Sequence, residues 1–309
     1  MTETAAPPLV ARVAVDVSLP HLDRPFDYLV PEAARGVVAP GVRVRVRFAG
    51  RLRDGYVLGL SDTSDAEGQL RPLERVISPE VVLTGPVARL CRAVADHYAG
   101  TFSDVVRMAV PARHASTEAA QPVGHPAPRV APLAAVLPLY RGGRGYLDAL
   151  ADGRPLRAAW TPVPVCDGVG AWASGLVEAA GATLSGGRGA LLIVPDADAL
   201  AVLEARCVDA FGAGSFVTLS AELGPAARYR AFLAAARGGV RLVLGTRNAV
   251  YAPVRDLGLI ALWDEGNDSL AEPRAPYQHA REVAALRAAQ ERCALLIAGH
   301  ARTAETQAL

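Results

Sequence analysis

Apolar and polar residues alternate along the first quarter of the chain with the two-residue period of half-buried strands. Five such runs lie between residues 12 and 79, separated by residues typical of turns. Helical periodicity then predicts one helix from Pro86 to a cap at Gly100, and a second over residues 104–109. Residues 113–132 are rich in Ala and Pro and lack periodicity, which predicts a linker. The pattern favours a small all-β unit followed by a helical connector.

Beyond the predicted linker, continuous apolar runs alternate with helical patterns. Helices are predicted over residues 169–184, 197–211, 225–237 and 276–292. Continuous apolar strands separated by helices indicate a parallel sheet that is covered on both faces. Ligands bind such sheets at the carboxyl ends of the strands, which is where the segments GTRNA and DEGND fall.

Composition indicates a globular protein without a global attraction to nucleic acid. Hydrophobic residues make up 51% of the chain and charged residues 20%, which is ample for sizeable cores. With a net charge of +1, any contact with nucleic acid requires a local cluster of arginines. The four cysteines lie far apart without a histidine at ligand spacing, so neither a zinc site nor a disulfide framework is predicted. Neither a signal peptide nor a membrane span is found, and we expect a cytoplasmic protein.

The apolar run LIALW ends in two adjacent carboxylates, Asp264 and Glu265. In P-loop nucleotide hydrolases such a pair holds Mg²⁺ and polarises the attacking water, together with a glycine-rich loop whose lysine grips the phosphates. This chain has no lysine, because all 32 residues of its Lys+Arg count are arginine. The turn that would cradle phosphates begins at Thr161 and contains Pro162 and Pro164, which lack backbone N–H groups. The sequence therefore carries half of an ATPase site.

Two other interpretations stay open at this point. The glycines of Asp167–Gly170, with Gly175, resemble a loose dinucleotide or S-adenosylmethionine loop, with Asp196 as the ribose carboxylate of a Rossmann-type methyltransferase. Alternatively, a partner supplies the phosphate grip and the two carboxylates still coordinate Mg²⁺. Their structural alternative is to pair with arginines such as Arg247 or Arg274.

Arginines alternate with valines in the predicted strand VRVRVRF. Arg43, Arg45 and Arg47 therefore share one face of that strand. Arg51 and Arg53 extend the same basic patch. Planar guanidinium forks suit phosphate oxygens, so this patch is a candidate DNA-binding surface. Its structural alternative is a solvated face whose charges discourage edge pairing.

Several motifs, in a consistent order, resemble the PriA family of bacterial replication restart. RPFDYLVP and PGVRVRVRFAGR resemble the family's domain for the 3′ end of a DNA strand. LLIVPDADAL, GTRNAVYAPVRDLGLIALWDEGND and PRAPYQHAREVAALRA resemble its first helicase lobe. The resemblance implies a multidomain protein: a 3′-end DNA-binding β domain with a helical connector over residues 1–112, a linker over 113–132, and a degenerate α/β RecA-like lobe of the P-loop NTPase type over 133–309.

Departures from the family pattern affect the ATPase elements. Active members carry a complete P-loop, an Asp-Glu-Glu-His box and a Ser-Ala-Thr motif. Here the box reads Asp264-Glu265-Gly266-Asn267, and the last strand leads into Gly299-His300-Ala301-Arg302. The resemblance therefore implies no catalytic residue, with Asp264 and Glu265 as a degenerate Walker B remnant. The family binds zinc and ATP-Mg, but we expect neither in this chain, since the zinc ligands would lie beyond Leu309.

The resemblance also implies a pocket for the terminal nucleotide. Phe26 would stack on the base and Asp27 would accept a hydrogen bond from a free 3′-hydroxyl. Gly50, or Ala49 beside it, would let the backbone approach, and Arg71 would contact a phosphate. The implied partners are forked or branched DNA, primosome proteins and single-strand binding protein, in the nucleoid and not at a membrane. The implied role is to promote primosome assembly at branched DNA without unwinding it.

Overall fold

The computed structural model describes residues 8–129, 135–164 and 171–309. The chain divides into two compact units, Met1–Val110 and Pro111–Leu309. Within the described ranges, no helix is long and apolar enough to cross a membrane.

The described part of the first unit is an antiparallel sheet with two helices after it. The strand order is β2-β1-β4-β3-β5. The strands are β1 (Val10–Val15), β2 (Phe26–Leu29), β3 (Val42–Phe48), β4 (Arg51–Ser61) and β5 (Arg75–Val81), and the helices are α1 (Gly85–His97) and α2 (Phe102–Ala109). The predicted all-β unit is confirmed, and its strands are antiparallel.

Alternation along β3 builds the core of the first unit. Val42, Val44 and Val46 are fully buried, so the residues between them face the other side of the sheet. A two-residue turn joins β3 to β4, and both of its residues have positive φ, 46° at Ala49 and 77° at Gly50. Positive φ at both positions is typical of a type I′ hairpin, whose twist matches that of the flanking strands.

The end of α1 differs from the prediction by one residue. The left-handed residue is Ala99, with φ of 51°, and not Gly100. Because α1 ends at His97 and is capped by Tyr98, Gly100 comes one position later and donates its N–H to the Ala95 carbonyl at 2.8 Å. This is the C″-to-C3 hydrogen bond of a Schellman motif. The left-handed C′ position, which is most often glycine, is occupied here by Ala99.

The second unit contains a parallel sheet with helices, as predicted. The described strands follow the order β6-β11-β10-β7-β9-β8, and every pairing between them is parallel. The strands are β6 (Arg157–Trp160), β7 (Gly189–Ile193), β8 (Val217–Leu219), β9 (Leu242–Gly245), β10 (Leu257–Trp263) and β11 (Ala294–Ala298). The helices are α3 (Ala115–Ala119), α4 (Gly143–Ala151), α5 (Ala171–Ser185), α6 (Ala197–Phe211), α7 (Pro225–Ala236), α8 (Ala280–Glu291) and α9 (Ala304–Ala308).

The segment predicted as a linker contains α3 and is hydrogen-bonded to the rest of the second unit. The Tyr229 hydroxyl of α7 donates to the Glu118 carboxylate at 2.6 Å. Glu118 also accepts from Arg113 at 2.7 Å, and the Arg129 N–H donates to the Phe211 carbonyl at 3.0 Å. Its described residues are thus anchored by contacts distant in sequence, which composition alone does not reveal. Residues 130–132 lie outside the described ranges.

Candidate nucleic-acid interface

A cavity of about 840 Å³ opens in the first unit. Five of the predicted site residues line it: Phe26, Asp27, Arg47, Gly50 and Arg71. They come from β2, the end of β3, the β3–β4 turn and the loop before β5. The other predicted arginines, Arg43, Arg45 and Arg51, are not part of its lining. The residues predicted for the nucleotide pocket therefore lie together around one cavity, and of the β3 arginines only Arg47 is among them.

Backbone pairing brings Arg71 beside β2. The Leu29 N–H donates to the Arg71 carbonyl at 2.9 Å, and the Leu73 N–H donates to the Leu29 carbonyl at 2.9 Å. Tyr28, between the two pocket residues of β2 and Leu29, is buried. Burial raises the pKa of the Tyr28 hydroxyl, and the positive charge of Arg71 opposes this only in part. A cationic side chain is thereby held at the cavity wall.

Phe26 forms an aromatic wall of the cavity. Its ring meets that of Phe48 edge-on, with centroids 4.7 Å apart and an interplanar angle of 63°. The Arg24 guanidinium carbon lies 4.8 Å from the Phe26 ring centroid, at cation–π distance. The half-buried ring is therefore fixed on a strand beside positive charge, an arrangement in which aromatic side chains stack on nucleic-acid bases.

Asp27 has two partners that the sequence did not predict. Strand pairing places it opposite Arg12, whose Nε lies 3.6 Å from Oδ1. The Ser64 hydroxyl donates to Oδ2 at 2.6 Å. The Asp27 side chain is 12% exposed and lines the cavity. Strand alternation does not give the register that places Arg12 opposite Asp27, and Ser64 lies in an irregular polar loop that carries no signal either.

The arginines of β3 share one face, as predicted, but each has a partner within the unit. Arg43 donates to the Tyr56 hydroxyl at 3.0 Å, and its guanidinium carbon lies 5.4 Å from the Tyr56 ring centroid. Arg45 pairs with Asp54 at 2.7 Å and Arg47 with Glu74 at 3.0 Å. Arg45 and Arg47 are thus paired with carboxylates, whereas Arg43 bonds to an uncharged hydroxyl.

Arg51 and Arg53, predicted to extend the basic patch, lie at the start of β4 opposite Phe48 and Val46. Because residues directly opposite each other share a face, this register places them on the other side of the sheet from the arginines of β3, and that prediction is wrong. Both residues are exposed. Neither lines the cavity, whose arginines are Arg12, Arg24, Arg47 and Arg71.

In the second unit, Glu265 is fully engaged by neighbouring groups. Its side chain is 2% exposed. The Thr303 N–H donates to Oε1 at 2.7 Å, the Thr303 hydroxyl donates to Oε2 at 2.8 Å, and Arg281 donates to Oε2 at 2.8 Å. Burial alone would raise the pKa of Glu265, but the bonds from Thr303 and Arg281 hold that pKa below its usual range. Glu265 is an ionised anchor that ties β10 to α8 and the segment before α9.

The predicted arginine partners of the carboxylates are wrong. Glu265 pairs with Arg281, whereas Arg247 pairs with Glu272 at 3.0 Å. Arg281 lies in the first turn of α8, within hydrogen-bonding distance of Glu265, which follows the end of β10. Asp264 has φ of 53° and accepts from the Asn267 amide at 2.8 Å.

Aromatic side chains cover the carboxyl end of β10. Trp172, in the first turn of α5, stacks on Trp263 with centroids 4.5 Å apart and an interplanar angle of 9°. His300 meets the Trp263 ring edge-on at 5.0 Å. Residues 165–170, which include Asp167–Gly170 and part of the turn predicted as a phosphate cradle, lie outside the described residues.

Gly175 of the proposed dinucleotide loop and Asp196, the proposed ribose carboxylate, have other roles. Gly175 lies inside α5 against the Trp160 ring, which leaves no space for a Cβ. Asp196 caps α6 by accepting a hydrogen bond from the Ala199 N–H at 2.9 Å. Among the residues that the structure describes, no group of three or more His, Cys, Asp or Glu side chains is placed to hold a metal ion.

Comparison with known proteins bears on the first unit most directly. Residues 12–111 match the family model of the PriA 3′DNA-binding domain. The first unit belongs to this family. From Arg12 of β1 onward, its antiparallel sheet, including the strand β2 that lines the cavity, lies within the matched residues.

The similarity to PriA extends through the second unit. The probable replication restart protein PriA of Mycobacterium tuberculosis is 53% identical over 294 residues, covering 95% of this chain and 44% of that protein. Its Mycobacterium leprae counterpart is 50% identical over 300 residues, covering 95% of this chain and 45% of that protein. Replication restart protein PriA of Bacillus subtilis is 39% identical over 75 residues, covering 24% of this chain and 9% of that protein. The predicted resemblance to PriA is confirmed, and the chain spans less than half the length of the mycobacterial relatives.

Proposed function

We propose that the cavity of the first unit binds the 3′-terminal nucleotide of a DNA strand at stalled or branched replication forks. The observation that carries this proposal is the convergence of Phe26, Asp27 and Arg71 on one cavity. These three side chains supply the groups that a strand terminus requires: a ring for the base, an acceptor for a hydroxyl and a cation for a phosphate. Membership of the 3′DNA-binding domain family supports the same assignment.

Each contact has a characteristic strength. Stacking of a base on Phe26 contributes about 1–3 kcal/mol. A hydrogen bond from a 3′-hydroxyl to the ionised Asp27 contributes about 1.5–3 kcal/mol, since one partner is charged. Only the second contact depends on a free hydroxyl, so it sets the preference for an unblocked end.

At the level of the whole protein, we propose replication restart: promotion of primosome assembly at forks, in the cytoplasm. The names of the mycobacterial and Bacillus relatives support restart. Forked DNA, primosome proteins and single-strand binding protein are its proposed partners. The second unit then serves as a RecA-like scaffold.

We propose that the scaffold acts without ATP hydrolysis or unwinding. Glu265, the residue that would polarise an attacking water, is occupied by Thr303 and Arg281. The chain also lacks lysine for a phosphate loop. A Glu265 bonded in this way and a chain without lysine do not fit a magnesium–nucleotide site. The proposed function therefore includes no step that uses ATP.

Fluorescence anisotropy with tailed and forked DNA tests the pocket. The full chain should bind a 3′-hydroxyl end about tenfold more tightly than a 2′,3′-dideoxy end, a difference of roughly 1.4 kcal/mol. Asp27→Ala should abolish this preference. Asp62→Ala is the matched control, because Asp62 lies outside the cavity lining and should leave the preference intact. Equal affinity of the unaltered chain for both ends would refute the pocket.

A phosphate-release assay on the same forked DNA tests the scaffold. We expect no release above background with ATP and Mg²⁺. DNA-stimulated release that disappears in Asp264→Asn would establish the alternative, an active ATP-dependent 3′–5′ helicase.

A further inference from the structure

We infer that Ser64 is the positioning residue of the pocket, through which the loop between β4 and β5 sets the selectivity for a free 3′-hydroxyl. The inference rests on the proposed function, because it assigns to Ser64 the orientation of the Asp27 carboxylate. Ser64 itself is assigned no contact with DNA.

A directional chain of hydrogen bonds supports this role. The Ala66 N–H donates to the Ser64 Oγ at 3.1 Å, and the Ser64 hydroxyl donates to Asp27 Oδ2 at 2.6 Å. The second distance is typical of a hydroxyl that donates to an ionised carboxylate. Because the Ser64 oxygen already accepts from the backbone, its proton is directed at Asp27. Ser64 is also half-buried, whereas Thr63 and Asp65 on either side of it are exposed.

Arg12 contacts the other oxygen of the same carboxylate less tightly. Its Nε lies 3.6 Å from Asp27 Oδ1, and the Arg12 side chain is 57% exposed. An exposed pair at that distance orients a carboxylate weakly. The Ser64 bond is therefore the contact that fixes the plane of the carboxylate.

The bound carboxylate keeps capacity for a ligand. An ionised carboxylate offers about four acceptor sites, and Ser64 and Arg12 use two of them. The Asp27 side chain faces the cavity, where a terminal hydroxyl would meet the remaining lone pairs. Without Ser64, rotation of the carboxylate toward Arg12 would misdirect these lone pairs while leaving the charge in place.

The test compares the full chain with Ser64→Ala, Ser64→Thr and the matched control Thr63→Ala. Thr63 lies in the same loop and bonds with Ser61 rather than Asp27. The readout is the ratio of affinities for 3′-hydroxyl and 2′,3′-dideoxy DNA ends. Ser64→Ala should reduce a ratio of about ten to about two, with unchanged affinity for the dideoxy end. Ser64→Thr retains a hydroxyl and should restore the ratio, and Thr63→Ala should not change it.

The possible failures are distinguishable. An unaltered chain with a ratio of one refutes the proposed function and this inference with it. A ratio of about ten in both the unaltered chain and Ser64→Ala overturns the role of Ser64 alone. Equal weakening for both DNA ends in Ser64→Ala also overturns it, because that result indicates loss of pocket shape instead of loss of carboxylate orientation.

Discussion

Glu265→Gln distinguishes a structural role of the Asp264–Glu265 carboxylate pair from a catalytic one. Glutamine keeps the volume of Glu265 and one acceptor oxygen for Thr303, but removes the charge that faces Arg281. The Arg281 side chain is 7% exposed, so its guanidinium would lose its most buried partner. Arg281 retains Glu282 at 3.0 Å, whose side chain is 27% exposed. Breaking a buried pair costs about 3–5 kcal/mol, and because Arg281 keeps Glu282 as a partner, we expect a loss of about 3 kcal/mol.

Urea and thermal unfolding, followed by tryptophan fluorescence, measure this loss. The three tryptophans of the chain are Trp160, Trp172 and Trp263, so their emission reports on the second unit. For a unit of this size, a loss of ~3 kcal/mol lowers the melting temperature by about 6–12 °C.

Asp264→Asn is the control for this measurement. Asp264 accepts one bond from Asn267, and asparagine tolerates the left-handed backbone of this position, so the cost should stay below about 1 kcal/mol. An unfolding free energy of Glu265→Gln within about 0.5 kcal/mol of the unaltered chain would refute the argument from burial and pairing.

Two further predictions concern the titration of His279 and the discrimination against a DNA end that carries a 3′-phosphate. His279 caps α8 by accepting the Arg281 N–H at 3.1 Å, and burial followed by the charge of Arg281 lowers its pKa below 6.5. The contribution of neutral His279 to the free energy of unfolding is therefore complete above pH 6.5 and declines below it by at most ~1.4 kcal/mol per pH unit. Urea unfolding at a series of pH values should show this decline in the unaltered chain. The decline should be absent from His279→Asn. Asp65 and Glu67 line the cavity, so a 3′-phosphate should bind worse than a 3′-hydroxyl, and Asp65→Asn with Glu67→Gln should relax this difference about tenfold in anisotropy titrations; an unchanged difference would contradict it.

Periodicity predicted the strands well, because a half-buried strand and a fully buried strand each leave a simple pattern. The seven residues of β10 are all buried, and their continuous apolar run is visible in the sequence. Helix α4 was not predicted, since its start, with Gly143 and Gly145, carries residues that disfavour helices. It is stabilised by burial of Leu147 and Leu150, a contribution that depends on the surrounding fold.

Glu178 shows a different limit of prediction from the sequence. Glu178 of α5 is buried and accepts the backbone N–H groups of Ala135, Val136 and Leu137 at 2.7, 2.7 and 2.8 Å. In the sequence, Glu178 is an ordinary helix-forming residue within an apolar stretch. Its role arises only when a segment some forty positions away is brought to it, which local patterns do not encode.

The same limit applies to the basic strand, which alternation predicts as a DNA-binding surface. Alternation shows which side chains share a face, but not which residues lie opposite them on the next strand. The register places Asp54 opposite Arg45, and the two side chains form an ion pair that alternation alone does not predict. The cavity itself is lined by four arginines and three carboxylates, so it has little excess charge to attract DNA in general. Selection at this site must therefore come from the placement of single groups, consistent with a chain whose net charge is only +1.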